Sequence, residues 1–331
     1  MLPFIVDAIN AEALGEIGMD ASTFGSPLLV PFDGSANAEA ILSYVPMLVS
    51  DGRKVILLQV IPEARDLCSP LGDVSISAAD LQAASETAAR ADLDRAAARL
   101  TGLDPSIEIE QVVAVGDPSE QIARVALDTA ASGIVIGSQG ISATGPGGFG
   151  SVVGRVARTT PVPLLVVQPK AAANTPEIAR FVIAHDGSER AGRVLPLVKD
   201  LAKRLAAHIH LVAVVQDERS PIAAAATDSL DSHTIEMFHG DARRIAQQHL
   251  ESVGATLLRG GVSASWQVLT GPAAPAIIDA CAPHDVLVIT SHGRADSRWM
   301  LGSVAEKLIR ESPVPILLLR TPPEPRDGGK P

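Results

Sequence analysis

Apolar and polar positions along this chain follow two periods. Short runs rich in Val, Ile and Leu recur at Leu28–Val30, Val55–Ile61, Ile109–Val115, Ile134–Ile136 and Leu164–Val167. Runs this short and this β-branched suit buried strands of a parallel sheet. Between them the spacing turns helical. Ala38, Ile41, Leu42, Val45, Leu48 and Val49 form one 3.6-residue stripe, in which Pro46 is a conflict that kinks or ends the helix. The alanine-rich stretch Ala78–Leu100 predicts a second helix. Gln121–Ala130, behind Pro118 and with Ser119 as the expected cap, predicts a third, and Ser151–Thr159 a fourth. Alternating strands and helices imply an open, doubly wound α/β sheet with right-handed crossovers.

The pattern then repeats. "PLLVPFDGS" (Pro27–Ser35) matches "FVIAHDGS" (Phe181–Ser188), and "KVILLQVIP" matches "HIHLVAVVQ". "QVVAVGDPSEQIARVA" matches "WQVLTGPAAPAIIDAC", "GIVIGSQG" matches "VLVITSHG", and "GSVVGRVARTTPVPLLVV" matches "GSVAEKLIRESPVPILLL". Asp33 and Asp186 are 153 positions apart, as are Gly140 and Gly293. Matches in one order at a nearly constant offset indicate duplication. The expected organisation is an extension over 1–25, a first domain over 26–170, a linker over 171–178, a second domain over 179–321 and a disordered tail over 322–331.

Composition narrows the partners. The net charge of −11 opposes a phosphate backbone, and 3% aromatic residues leave few stacking platforms, so no nucleic acid is expected. The two cysteines, Cys68 and Cys281, have no metal-ligand spacing and suit a reducing compartment. The N-terminus lacks a basic leader segment, and no apolar run reaches the ~18 residues of a membrane span, so no membrane partner and a cytoplasmic location are expected.

The segment Gly137–Gly154 holds seven glycines between one apolar run and a second. Ligands of open parallel sheets bind beyond the carboxyl ends of the strands. There the loops Asp33-Gly34-Ser35, Val60-Ile61-Pro62, Gly116-Asp117-Pro118 and Gly137 onward would meet. Glycine-opened amides and a helix N-terminus bind anions, phosphate above all. Gly137 and Gly140 would admit a sugar and phosphate, Gly150 and Ser151 further phosphates, and Asp33 ribose hydroxyls or an adenine edge. Asp-Gly-Ser is also an ordinary turn and cap, and glycine loops are often only tight turns. No G-x-G-x-x-G opens a helix and no G-x-x-x-x-G-K-[ST] occurs, which excludes dinucleotide and P-loop readings.

Gly137-x2-Gly140-x9-Gly150-Ser151 resembles the G-2x-G-9x-G-(S/T) signature of the ATP-binding universal stress proteins. The resemblance extends over both halves, so the chain looks like a tandem member. It implies a universal stress protein fold in each half and a bound adenine nucleotide, ATP with or without Mg2+. It also implies a role in stress response or signalling. By position it assigns the site to Asp33, Val60, Gly137, Gly140, Gly150, Ser151 and Val152. In the second half it assigns Asp186, Val214, Gly293, Gly302, Ser303 and Val304. The first spacer, "ISATGPGGF", has no basic residue, so backbone amides, a metal ion or the more distant Arg155 and Arg158 would meet phosphate charge. Those arginines equally fit a solvated helix face. In the second half Thr290 replaces the first glycine and the spacer is eight residues, while Arg294 and Arg298 restore positive charge. Whether that half binds stays open.

Catalysis is the competing class: a slow ATPase or other nucleotide-processing enzyme. The eight histidines form no ligand pattern, and no G-x-S-x-G elbow occurs. His185 and Asp186 are sequence neighbours and point to opposite sides of a strand end, which suits no relay. His292 and the carboxylates Asp117 and Asp296 read as turn and loop residues, and no catalytic residue or resident metal ligand is assigned.

Each half ends in "PVP" and an apolar strand, Leu164–Val167 or Ile316–Leu319. Proline favours strand starts and edges, and an apolar edge needs cover. The resemblance implies pairing of these last strands within the chain as an internal pseudo-dimer, with a homodimer of whole chains also open. The downstream protein partner is not legible.

Overall fold

The computed structural model describes residues 24–50, 52–68, 75–139, 151–160, 162–169, 176–215, 232–291 and 301–320. The chain divides into two compact units, Met1–Thr175 with Pro322–Pro331, and Pro176–Thr321.

The first unit is built on strands β1 (Leu28–Pro31) and β2 (Lys54–Ile61), a small antiparallel pair β3 (Leu67–Cys68) and β4 (Ser75–Ile76), and then β5 (Glu108–Val115), β6 (Gly133–Gly137) and β7 (Leu164–Val167). Its sheet runs β7-β6-β1-β2-β5 with every pair parallel. Leu28, Leu29 and Val30 are wholly buried, as central strands covered on both faces require. β5 corrects the expectation of a buried strand there. Among the described residues it pairs with β2 alone, Ala114 is its one buried residue, and Val115 is 40% exposed. An edge position relieves it of apolar cover.

The stripe from Ala38 to Val49 is buried at all six positions, but it is not one helix. Helix α1 (Ala36–Ile41) passes through a 3-10 turn (Leu42–Tyr44) into α2 (Val45–Leu48). Proline cannot donate inside a helix, and the tightened turn moves Pro46 into the first turn of a new segment, where no donor is needed. Helix α3 (Ala78–Leu103) is capped by Ser77 and buries Ala89, Leu93, Ala96 and Leu100 at helical spacing. Helix α4 spans Pro118–Asp128, and α5 spans Ser151–Thr159.

The second unit repeats the plan. Its elements are β8 (Arg180–Ala184), α6 (Glu189–Gly192), α7 (Leu195–Leu205), β9 (His208–Val215), α8 (Ser232–Arg259) and β10 (Ala264–Thr270). Then follow α9 (Ala273–Asp279), β11 (Asp285–Ser291), α10 (Ser303–Glu311) and β12 (Ile316–Arg320). Its sheet runs β10-β9-β8-β11-β12, again all parallel. Counting only main-sheet strands, both units have the order 3-2-1-4-5. Among the described residues no helix is long and apolar enough to cross a membrane.

Candidate functional site

The strand order reverses beside β1 in the first unit and beside β8 in the second. The chain leaves each of these strands for one flank and returns on the other, which opens a crevice at the carboxyl ends. The two crevices are built alike. Phe32 N donates to Leu58 O at 2.8 Å in the first, and His185 N to Val212 O at 2.8 Å in the second. Val60 and Val214 each stand two residues beyond that last rung, on strands that continue past their neighbour.

The Asp-Gly-Ser loops are turns and caps in both units. Ser35 N donates to Asp33 Oδ1 at 3.0 Å, and Ser35 Oγ accepts from Ala38 N at 3.1 Å to cap α1. Ser188 N and Oγ donate to Asp186 Oδ1 at 3.0 and 2.6 Å, and Ser188 Oγ accepts from Ala191 N at 3.2 Å. Gly34 and Gly187 have φ of +76° and +83°, a left-handed conformation that accounts for these glycines without any ligand.

Gly137 differs. It closes β6 opposite Val167, its φ is not left-handed, and among the described residues a Cβ built on it meets nothing nearer than Gln139 O at 3.6 Å. The backbone and the packing of the described residues therefore both tolerate a side chain there. Gly302, the N-cap of α10, is similar: φ is −62° and among the described residues a Cβ would meet nothing within 4 Å. It contributes no side-chain cap, so the first amides of α10, at Ser303 and Val304, have no partner within the helix. Ser151 and Val152 form the first turn of α5. Thr290 occupies on β11 the place of Gly137, with Leu319 opposite it as Val167 is opposite Gly137. Gly140, Gly150, Gly293, His292, Arg294, Asp296 and Arg298 lie outside the described residues.

Two expectations are corrected. Asp117, not Ser119, caps α4, accepting from the amides of Ser119 and Glu120 at 2.9 and 3.2 Å. Pro118 takes the first helical position and so puts the cap one residue before it. Ser119 Oγ instead donates to Asp117 Oδ1 at 2.5 Å. Asp117 is also more than a loop-surface carboxylate, because Arg155 Nη2 lies 2.9 Å from its Oδ2. Burial disfavours the Asp117 anion, but the Ser119 hydroxyl, the two amides and Arg155 outweigh it and hold the carboxyl below its ordinary value. Arg155 is thus matched by a carboxylate of its own unit.

One position beside the loops is not marked by any motif. On α3, Asp92 lies under the first loop: a Cβ on Gly34 would come within 2.9 Å of its Oδ2, which also accepts from Gln59 Nε2 at 3.2 Å. On α8 the matching place holds His249, whose ring is 4.8 Å from that of His185. Each precedes a fully buried leucine, Leu93 or Leu250. That phase of the helix was the signal available in the sequence. Among the described residues no group of three or more His, Cys, Asp or Glu is placed to hold a metal ion.

The sequence profile of the universal stress protein family matches residues 26–168 and again 177–320. The chain belongs to the universal stress protein family. It is a tandem member with one family domain in each unit. Its fold resembles that of a universal stress protein from Archaeoglobus fulgidus, at TM-score 0.62 and 24% identity, over 90% of this chain and 98% of that one. A putative universal stress protein from Pseudomonas aeruginosa is similar at TM-score 0.56 and 15% identity, over 91% and 94% of the two chains. A functionally unknown protein from the same species gives TM-score 0.60 at 16% identity, over 91% and 94%. No curated protein sequence matches this universal stress protein.

Proposed function

We propose that the first unit binds an adenine nucleotide, ATP by preference, at the carboxyl ends of β1, β2 and β6. The protein then acts as a stress-response or signalling component and not as a dedicated enzyme. Gly137 carries the reading. Neither φ nor packing among the described residues calls for a glycine there, which supports close approach of a ligand to the backbone. Asp33 would take ribose hydroxyls or the adenine edge, the Val60 backbone the base, and the loop from Gly137 through Gly140 and Gly150 to Ser151 and Val152 the phosphates. Mg2+ has no cluster of three or more candidate ligands among the described residues, so no role is assigned to it. In the second unit Asp186, Val214, Gly293, Gly302, Ser303 and Val304 would do the same work less well, because Thr290 carries a Cβ where Gly137 has none.

Calorimetric titration with ATP tests this. Gly137→Ala leaves the fold intact by circular dichroism and weakens binding at least about tenfold, or ~1.4 kcal/mol. Unchanged affinity overturns the assignment. A turnover assay on the same sample separates binding from slow hydrolysis.

A further inference from the structure

The second unit bonds its Asp186 loop to one imidazole, His185, with a second imidazole, His249, beside that ring, where the first unit has the phenyl ring of Phe32. His185 is 3% exposed and stands where the first unit has Phe32, itself 4% exposed. Its Nδ1 accepts from Gly187 N at 3.1 Å. That bond requires a bare Nδ1, so the neutral ring carries its proton on Nε2. The His249 ring lies 4.8 Å away, tilted by 50°, and its buried Nε2 has no hydrogen-bond partner among the described residues.

Protonating His185 would place N–H against N–H at Gly187. It would also bury a cation beside a second imidazole. We propose that a proton on His185 releases the Asp186-Gly187-Ser188 loop, so that acid opens the second site while the first, resting on Phe32, stays as it is. The consequence for nucleotide affinity rests on the proposed function; release of the loop does not.

The surroundings set the direction. Burial is the largest influence on His185 and lowers its pKa, the neighbouring His249 lowers it further, and Asp186 raises it in part. The flanking segments Leu211–Val215 of β9 and Val286–Thr290 of β11 hold no charged residue, and Lys199, Asp200, Lys203 and Arg204 of α7 are not among the charges acting on the ring. The folded unit therefore takes this proton below the ordinary value of 6.5. The unfolded chain takes it first as pH falls, so this contribution to stability is present above 6.5 and is lost progressively below it.

The test is amide NMR of the full chain without nucleotide, from about pH 7.5 to about pH 5, above the range where carboxylates titrate. The Gly187 and Ser188 amides are expected to shift together with one midpoint below 6.5, while Gly34 and Ser35 do not follow it. His185→Phe abolishes the transition. His249→Leu, a second variant should the first fail to fold, raises the midpoint. A flat Gly187 amide, a transition that persists in His185→Phe, or a midpoint that His249→Leu leaves unmoved or lowers overturns the proposal. Because no nucleotide is present, a chain that binds none would still give this answer.

Discussion

Arg180 on β8 holds Asp285 on β11 in a two-point grip, Nε to Oδ1 at 2.9 Å and Nη2 to Oδ2 at 2.5 Å. Asp285 is 2% exposed, and the Ala282 amide also donates to it at 2.7 Å. This is the opposite end of the sheet from the crevice.

Removing one partner strands the other charge. Arg180→Met is expected to cost the second unit about 3–5 kcal/mol, whereas Arg180→Met with Asp285→Leu recovers much of that loss. Urea unfolding followed by signals from each unit reads this, since two domains need not unfold as one transition. Equal destabilisation by the single and double variants would rule out a stranded charge as the cause.

Gly254 makes the contrast with Gly137. A Cβ there falls 2.3 Å from Cε3 and 2.4 Å from Cζ3 of Trp266, a rigid ring on β10. Alanine gains roughly 0.5–1 kcal/mol over glycine inside a helix. Overpacking costs about 1–3 kcal/mol, and the ring has no flexible end to move aside. Gly254→Ala should therefore lower the thermal midpoint. A raised midpoint would show that α8 can slide away from the sheet.

The Asp117 cap gives an acid limb. Its folded pKa lies below the ordinary 3.8, so its stabilisation is complete above that value and is lost as pH falls through the lower folded one. Asp117→Asn should flatten stability against pH below about 4, and Asp117→Ala should cost about 0.5–2 kcal/mol at neutral pH through the lost cap. Parallel pH–stability curves for the Asp117→Asn variant and the native chain would assign the acid limb to other carboxylates.

Much of the fold was legible in one dimension. Ser151–Thr159 is helical over the residues its pattern marked, and the six-residue stripe from Ala38 is buried throughout. A strand inside a parallel sheet must be apolar and short, and one helix face must be apolar, so composition and period carry both. Local competition was harder to read: at Asp117-Pro118-Ser119 two residues could cap, and the ring constraint of proline decided between them.

The amino-acid sequence by itself determined the duplication, the alternation of strands and helices, and the glycines and aspartates grouped at strand ends. The duplication is a match of sequence with itself, and the others depend on neighbours close along the chain. Strand order was left to the tertiary structure, and with it the exposure of β5, because an edge is defined by the strand that is missing beside it. So was the meeting of His185 with His249, and of Gly34 with Asp92. Those pairs are distant in the chain, and only the packing of a long helix against its sheet brings them together.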